Sequence, residues 1–338
     1  MKNGALMVKM KVALAIECSH TRGMGHLFRS FYYLDYLKKE NIDYVYLINN
    51  DKPALEILKS RGVDYLIVDY SDTSSNWEAQ IIKEYGINIW INDKFETSYE
   101  LARNVKKENI FLALIDDMGE ADELCDIYFA GFIAFTKTEY KARNVRYGTR
   151  YMVLNPEIQR YRRKRDHVDR ILVSLGGADP YDTSVSVVEE LLNYEYDFDI
   201  LIGADSTCLK QLQELDNGRF HIYQNVPSAI ELFSHYDFAI TGGGLTCCEA
   251  NAAGIPCIII ANAPHEINTG ICVEKMGGSV FAGDHSDWNR AYIRDIKNLD
   301  IQRMSECGMK AFDLGGVEII FNEVVREYKL LLEMSKIH

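Results

Sequence analysis

The sequence predicts an α/β protein built from two Rossmann-like, doubly wound parallel-sheet domains facing an interdomain cleft. Three observations carry this reading. Short apolar runs alternate with helical patterns over residues 12–115; the alternation breaks over residues 155–169 and restarts at Ile171; and two glycine-rich segments each follow an apolar run and precede a helix. Buried strands alternating with helices form a parallel sheet covered on both faces, and ligands of such sheets bind beyond the carboxyl ends of the strands.

The first domain follows element by element. Val12–Ile16 reads as a strand, followed by a polar, glycine-containing loop and a helix over about residues 26–40. Tyr44–Ile48, Tyr65–Val68, Ile87–Ile91 and Ile110–Ile115 continue as strands. Helical patterns at residues 53–60, 76–85 and 98–107 lie between them.

After the polar, basic break, Ile171–Leu175 restarts the pattern and ends in Gly176-Gly177. Strands are predicted at residues 199–202, 221–223, 238–240 and 257–260, with helices at about 182–192, 207–215, 229–234 and 245–253. The expected division is residues 1–155 as the first Rossmann-like domain and 156–315 as the second. A final helix over 316–338 is expected to return to the first domain.

Composition narrows the function. A chain of 338 residues suits two domains of about 150 residues each. Hydrophobic residues make up 47% and charged residues 26%, an ordinary globular composition without room for long disorder. With 37 basic and 50 acidic residues the formal charge is −13, which argues against a nucleic-acid surface and leaves an anionic ligand to local donors. No run approaches the roughly 18 apolar residues of a membrane span, and no signal-peptide pattern opens the chain, so a cytoplasmic protein without an integral membrane segment is expected. The eight cysteines show no C-x-x-C pairing and read as reduced, buried thiols. The basic run at residues 160–165 reads as a solvated linker, or as a patch that touches an acidic membrane face.

The densest signal is Thr241-Gly242-Gly243-Gly244-Leu245 with Glu249 one turn into the following helix. Backbone N–H groups of glycines at a helix N-terminus suit a diphosphate, and Glu249 is placed to accept hydrogen bonds from a sugar hydroxyl pair such as a ribose. The same residues also fit a plain tight turn with Glu249 solvated. Gly23-Met24-Gly25-His26 closes the first loop, but Phe28 and the Asn49-Asn50 pair break the dinucleotide fingerprint, and no G-x-x-x-x-G-K-[ST] loop occurs. His26 at a helix start is a candidate general base, or a turn-bonded histidine. Arg29 is a candidate for a carboxylate or phosphate, or a surface side chain.

Gly176-Gly177-Ala178-Asp179-Pro180 offers further donors, with Asp179 placed as a helix cap and Pro180 as the first helical residue. His265 and Asn268, beyond a later strand, are candidate sugar or phosphate contacts, or part of an ordinary loop. Asp93, Asp116 and Asp117 end predicted strands. Such a carboxylate orients His26, binds sugar hydroxyls or caps a helix. No histidine neighbour or spacing argues for a metal.

The G-x-G-H loop, the G-G-x-D-P segment and the glycine turn followed by Glu249 together resemble the GT-B superfamily, over about residues 12–321. Within it the chain is similar to the UDP-sugar hydrolases of pseudaminic acid biosynthesis, which release UDP from a 2,4-diacetamido-2,4,6-trideoxy sugar, a family itself similar to the peptidoglycan N-acetylglucosamine transferase. The resemblance implies that His26 is the base on the attacking water and that Glu249 binds the ribose of UDP. It also implies that Gly242, Gly243 and Gly244 hold the diphosphate and that Ile222 to Val226 pass beside the uracil. No cofactor or metal is implied. Where the hydrolases open with Arg-x-Asp this chain has Ile16-Glu17-Cys18, their Asp-x-Tyr stands here as Asp93-Lys94-Phe95, and their late Asn-Gln pair falls at His265-Glu266-Ile267-Asn268. The nucleotide half therefore carries over better than the sugar half.

The expected function is a metal-independent hydrolase releasing UDP from a UDP-linked N-acetylated deoxy sugar in nonulosonic-acid or surface-polysaccharide biosynthesis. The catalytic pair is His26 and Asp93. The expected substrate contacts are Gly23, Gly25, Arg29, Gly176, Gly177, Asp179, Val226, Gly242, Gly243, Gly244, Leu245, Glu249, His265 and Asn268. The alternatives are a glycosyltransferase using the same donor and a non-catalytic nucleotide-sugar binding protein.

Overall fold

The computed structural model describes residues 10–19, 24–132, 137–176, 179–203, 206–224, 226 and 228–335. The chain divides into two compact units, Met1–Val153 with Gly315–His338, and Leu154–Leu314. Each is an α/β unit on a wholly parallel sheet, of seven and six strands respectively.

Unit 1 contains β1 (Lys11–Ile16), β2 (Asp43–Ile48), β3 (Leu66–Ile67), β4 (Ile89–Asp93), β5 (Phe111–Ile115), β6 (Ile127–Ala130) and β7 (Val145–Tyr147), in the order β3-β2-β1-β4-β5-β6-β7. Its connecting helices are α1 (Gly25–Lys39), α2 (Lys52–Ser60), α3 (Trp77–Tyr85) and α4 (Tyr99–Lys107). Alternation along β1 explains why it is central. Val12, Leu14 and Ile16 pack in the cluster that holds Leu27, Phe31 and Leu34 of α1, while Ala13 and Ala15 pack with Trp90 and Leu101 on the other face. The order reverses between β1 and β4, whose register pairs Ile16 with Asp93. The carboxyl ends of these strands form the switch point where open parallel sheets place their ligands.

Strands β6 and β7 extend this sheet beyond the five strands expected from the sequence. They are only four and three residues long; β6 (Ile-Tyr-Phe-Ala) is a short buried apolar run, whereas β7 (Val-Arg-Tyr) carries an arginine at its centre and shows none.

The C-terminal helix belongs to the same unit. Phe321 stacks on Tyr36 at 4.8 Å and meets Tyr33 edge-on at 5.9 Å, Tyr328 meets Phe111 at 5.9 Å, and Arg146 bonds Glu323 and Glu327 at 3.0 Å each. Ile320, Phe321, Val324 and Tyr328 are all buried. Such side chains contribute about 1.5–3 kcal/mol each when fully buried, far more than the exposed part of the ion pairs.

Unit 2 contains β8 (Arg170–Ser174), β9 (Asp197–Ile202), β10 (Ile222–Gln224), β11 (Phe238–Thr241), β12 (Cys257–Ala261) and β13 (Ser279–Asp284), in the order β10-β9-β8-β11-β12-β13. Its helices are α5 (Ile158–Tyr161), α6 (Thr183–Leu191), α7 (Leu209–Leu215), α8 (Leu245–Ala252), α9 (Pro264–Lys275), α10 (Ala291–Arg294) and α11 (Ile301–Ala311), and the C-terminal helix of unit 1 is then α12 (Gly316–Met334). Here the order reverses between β8 and β11, so the Gly176 loop and the glycine turn share one switch point.

Three local expectations change. Residues 264–268 are the first turn of α9, opened by Pro264, rather than a loop. Helix α6 starts at Thr183 rather than Pro180. The basic run is not a solvated linker, because Arg165 is fully buried and Arg162 donates to the carbonyls of Met309 and Phe312. The Arg165 guanidinium donates to the carbonyls of Phe233, Tyr236, Arg163 and Ala253, and so joins the ends of three segments. Burial, with Arg163 nearby, draws its proton affinity down to about 10.

Candidate functional site

In unit 1 the spacing 26, 29, 33 places His26, Arg29 and Tyr33 on one face of α1, and all three converge on Asp93, the last residue of β4. The Asp93 carboxylate is fully buried. Its Oδ1 lies 2.6 Å from His26 Nδ1, and its Oδ2 accepts from Arg29 Nε at 2.6 Å and from the Tyr33 hydroxyl at 2.8 Å. A second Arg29 nitrogen also bonds Oδ1, making a bidentate fork. Burial alone would push the Asp93 carboxyl up. The Arg29 guanidinium, His26 and their hydrogen bonds outweigh it and hold it down at about 2.

An ionised Asp93 only accepts, so the network assigns the imidazole proton to Nδ1 and leaves a lone pair on Nε2. Among the described residues Nε2 has no hydrogen-bond partner. His26 is oriented as a proton acceptor should be.

Arg29 reaches further. Its third nitrogen donates to Asp116 Oδ2 at 2.8 Å, and the other Asp116 oxygen accepts the backbone N–H groups of Gly131 and Phe132 at 2.8 Å each. Asp116 follows β5 in a left-handed conformation, φ 50°, which a non-glycine residue adopts at a cost. Of the expected alternatives for Arg29, a carboxylate or phosphate partner or a surface side chain, the structure shows two carboxylates. The guanidinium is spent on two carboxylates of the same unit, and only 13% of the Arg29 side chain is exposed.

Beside this group, Lys94 is buried, pairs with Glu17 at 3.3 Å and lies over the Tyr70 ring at 3.7 Å. Burial lowers the affinity of Lys94 for its proton despite Glu17. Gly25 is the exposed first residue of α1, and Gly23 lies outside the described residues.

In unit 2 the glycine turn joins β11 to α8, with Gly244 at the N-cap. A Cβ on Gly243 would lie 2.5 Å from the backbone oxygen of Glu266, so only glycine fits. Glu266 Oε2 accepts the N–H of Gly243 at 3.1 Å and that of Asn262 at 2.8 Å. Asn262 in turn donates to the Leu175 carbonyl at 2.6 Å and accepts from the Thr183 hydroxyl at 3.0 Å, tying the Gly176 loop to the turn. The sequence reading missed Glu266 as a ligand of this turn. Its one signal was a glutamate in the third position of a helix opened by proline, the capping-box place.

Glu249 sits one turn into α8, half-buried, with no side-chain hydrogen bond among the described residues. Burial pushes its carboxyl up to about 7. The Asp179 carboxylate takes the helix-cap place that its position before α6 suggests. Both of its oxygens cap α6, accepting from Thr183 at 3.0 Å and Ser184 at 2.9 Å, and it is buried. Gly176 is exposed at φ 103°, a conformation natural only to glycine, while Gly177 lies outside the described residues. Leu245, His265 and Asn268 are exposed, and Val226 is half-buried beside β10.

Among the described residues one trio has metal-ligand spacing, His167, Asp169 and Asp237. Asp237 already pairs with Arg163 at 2.7 Å, and the other two are exposed. No helix among the described residues is long and apolar enough to cross a membrane.

No protein-family profile matches the chain. It is 25% identical over 275 residues to an uncharacterized protein of Methanocaldococcus jannaschii, covering 74% of this chain and 55% of that protein. The chain thus spans about half the length of that relative. It is 23% identical over 291 residues to the spore coat polysaccharide biosynthesis protein SpsG of Bacillus subtilis, covering 81% and 84% of the two chains. Among solved structures it is similar to MurG of Acinetobacter baumannii, with TM-score 0.66, 12% identity and coverage of 94% and 99%. It is also similar to the glycosyltransferase VinC in complex with dTDP, at TM-score 0.64, 12% identity and 95% and 100% coverage. A UDP-N-acetylglucosamine 2-epimerase follows at TM-score 0.61, 13% identity and 95% and 97% coverage. These likenesses show the fold, two parallel-sheet α/β domains of the GT-B kind.

Proposed function

We propose that this chain is a nucleotide-sugar-dependent enzyme of polysaccharide biosynthesis that transfers a sugar from a UDP-linked donor to an acceptor hydroxyl. The observation that carries the reading is the His26–Asp93 pair: a buried, ionised carboxylate on Nδ1 and an open Nε2 at a sheet switch point. Nε2 takes the proton of the attacking hydroxyl. Its oxygen bonds the anomeric carbon as the bond to the diphosphate breaks, and UDP leaves with the electron pair. The glycine turn and the α8 dipole offset the charge on the leaving diphosphate, and Glu249 accepts from the ribose. The glycosyltransferase VinC with dTDP and the polysaccharide-biosynthesis relative favour transfer as the main reading.

Hydrolysis is the second reading, because the same dyad serves water and the G-x-G-H and G-G-x-D motifs resemble UDP-sugar hydrolases. The test mixes the purified protein with UDP-N-acetyl sugars, with and without candidate acceptors, and follows UDP. Release only with an acceptor supports transfer, and catalytic release into water alone establishes the hydrolase. Binding with no turnover under either condition makes the chain a nucleotide-sugar binder. His26→Ala lowers turnover by about 100-fold or more while sparing UDP affinity, and an active variant removes His26 as the base.

A further inference from the structure

Behind His26 lies a charge chain longer than an orienting dyad requires. Asp93, Arg29 and Asp116 follow one another at 2.6 and 2.8 Å, and the last member is anchored by two backbone N–H groups in a left-handed conformation. Arg29 also brings a guanidinium nitrogen within 3.1 Å of His26 Nδ1. We infer that Arg29 and Asp116 are positioning residues that divide the Asp93 charge between Arg29 and His26, and so set the pH at which His26 becomes a proton acceptor. The inference rests on the reading of His26 as the base.

The charged and titratable groups facing His26 come from three elements, Tyr33 among them a neutral phenol. Helix α1 contributes His26, Arg29 and Tyr33; β4 contributes Asp93; the end of β5 contributes Asp116. Tyr46 on β2 and Cys18 after β1 lie behind them; both are neutral, their protons held well above neutral pH mainly by burial. The Lys94–Glu17 pair belongs to the opposite face of the sheet, because strand alternation separates Lys94 from Asp93 and sends it to Tyr70. With His26 neutral, the cluster therefore holds two negative charges and one positive.

Removing either outer member shifts that balance in opposite senses. Arg29→Gln leaves Asp93 and Asp116 uncompensated, which strengthens the pull on an imidazolium and moves the His26 titration to higher pH. Asp116→Asn leaves the Arg29 cation less compensated beside Nδ1 and moves the titration to lower pH. Arg29 acts 3.1 Å from Nδ1 and Asp116 acts from behind Arg29, so a shift of about one pH unit is expected in Arg29→Gln and a smaller one, about half a unit, in Asp116→Asn. Arg29→Lys keeps the charge and loses the fork, and should restore most of the midpoint.

The experiment is an NMR titration of the His26 imidazole in the full chain without any ligand, its signal assigned by loss in His26→Gln. Opposite shifts in Arg29→Gln and Asp116→Asn support the inference. Shifts in one direction, or none beyond about 0.3 unit, overturn it, since a purely structural brace has no reason to move the midpoint oppositely. Should Arg29→Gln fail to fold, Asp116→Asn and Arg29→Lys carry the decision: a downward shift in the first with a near-native midpoint in the second. Because no substrate enters the titration, absence of nucleotide-sugar turnover would count against the proposed function and leave this result standing.

Discussion

The Glu266 carboxylate accepts the Gly243 backbone N–H at 3.1 Å, so one donor of the glycine turn is already held by an anion of the chain itself. The same oxygen takes Asn262 N–H at 2.8 Å, and Gly243 can approach this closely only because it lacks a Cβ. A turn that draws in a carboxylate is competent to draw in a phosphate, since both are recognised by N–H groups at a helix start. Glu266 and a diphosphate would then compete for the turn, or repel each other across it.

Glu266→Gln separates the two effects of this side chain. The amide oxygen still accepts from Gly243 and Asn262 while the charge is gone. UDP should bind about 3- to 10-fold tighter, the scale of one like charge removed at a partly solvated site. Calorimetric titration of both proteins at pH 8 measures this. Weaker or equal binding by the variant would show that Glu266 does not oppose the diphosphate.

Much of this arrangement was legible before any coordinates. The apolar runs of β1, β2, β4 and β5 in unit 1 and of β8, β9, β11 and β12 in unit 2 identify both sheets, and the three glycines before Leu245 mark the unit-2 switch point. His26 and Asp93 stand out because a histidine at a helix start and an aspartate at a strand end are the residue types for proton transfer. Arg29 was ambiguous for a physical reason. Its partners lie 64 and 87 residues away, and nothing local distinguishes a guanidinium that binds substrate from one that clamps its own carboxylates. Strand β13 and helix α9 escaped for a different reason: Ser279–Asp284 lacks a continuous apolar run, and Pro264 reads as a loop until its place at the first helical position is seen.

Arg165 shows where charge patterning misleads. A run of five basic residues around Tyr161 reads as solvated, yet burial of Arg165 is decided by carbonyls at 233, 236 and 253 that only the fold brings together. Arg165→Ala takes the guanidinium from the carbonyls of Phe233 and Tyr236, while that of Ala253 keeps the Arg163 N–H, and each buried acceptor left unsatisfied costs about 1–3 kcal/mol. Unit 2 should lose several kcal/mol of stability. Denaturant unfolding followed at the unit-2 tryptophan, Trp288, measures the loss, and a change under about 1 kcal/mol would mean that water replaces the guanidinium.

On the proposed reading, in which Glu249 accepts from the ribose of UDP, one proton would join stability to ligand binding. Burial raises its carboxyl from the ordinary 4.5 to about 7, so between those values the folded chain holds a proton that the unfolded chain has released. Stability contributed here therefore rises as pH falls from 7 toward 4.5, and the full penalty of a buried charge applies above 7. A ribose donates hydroxyl hydrogens to the ionised form and stabilises it. UDP affinity should accordingly be greatest above pH 7, fall by up to about tenfold per unit below it, and be accompanied by proton release near neutrality. Glu249→Gln should remove both dependences, binding UDP more weakly at pH 8 while melting higher there by about 1–2 kcal/mol of stability. Calorimetry in two buffers of different ionisation heat reads the proton directly. A wild-type affinity that stays flat from pH 5 to 8, with no proton exchanged, would separate Glu249 from the nucleotide.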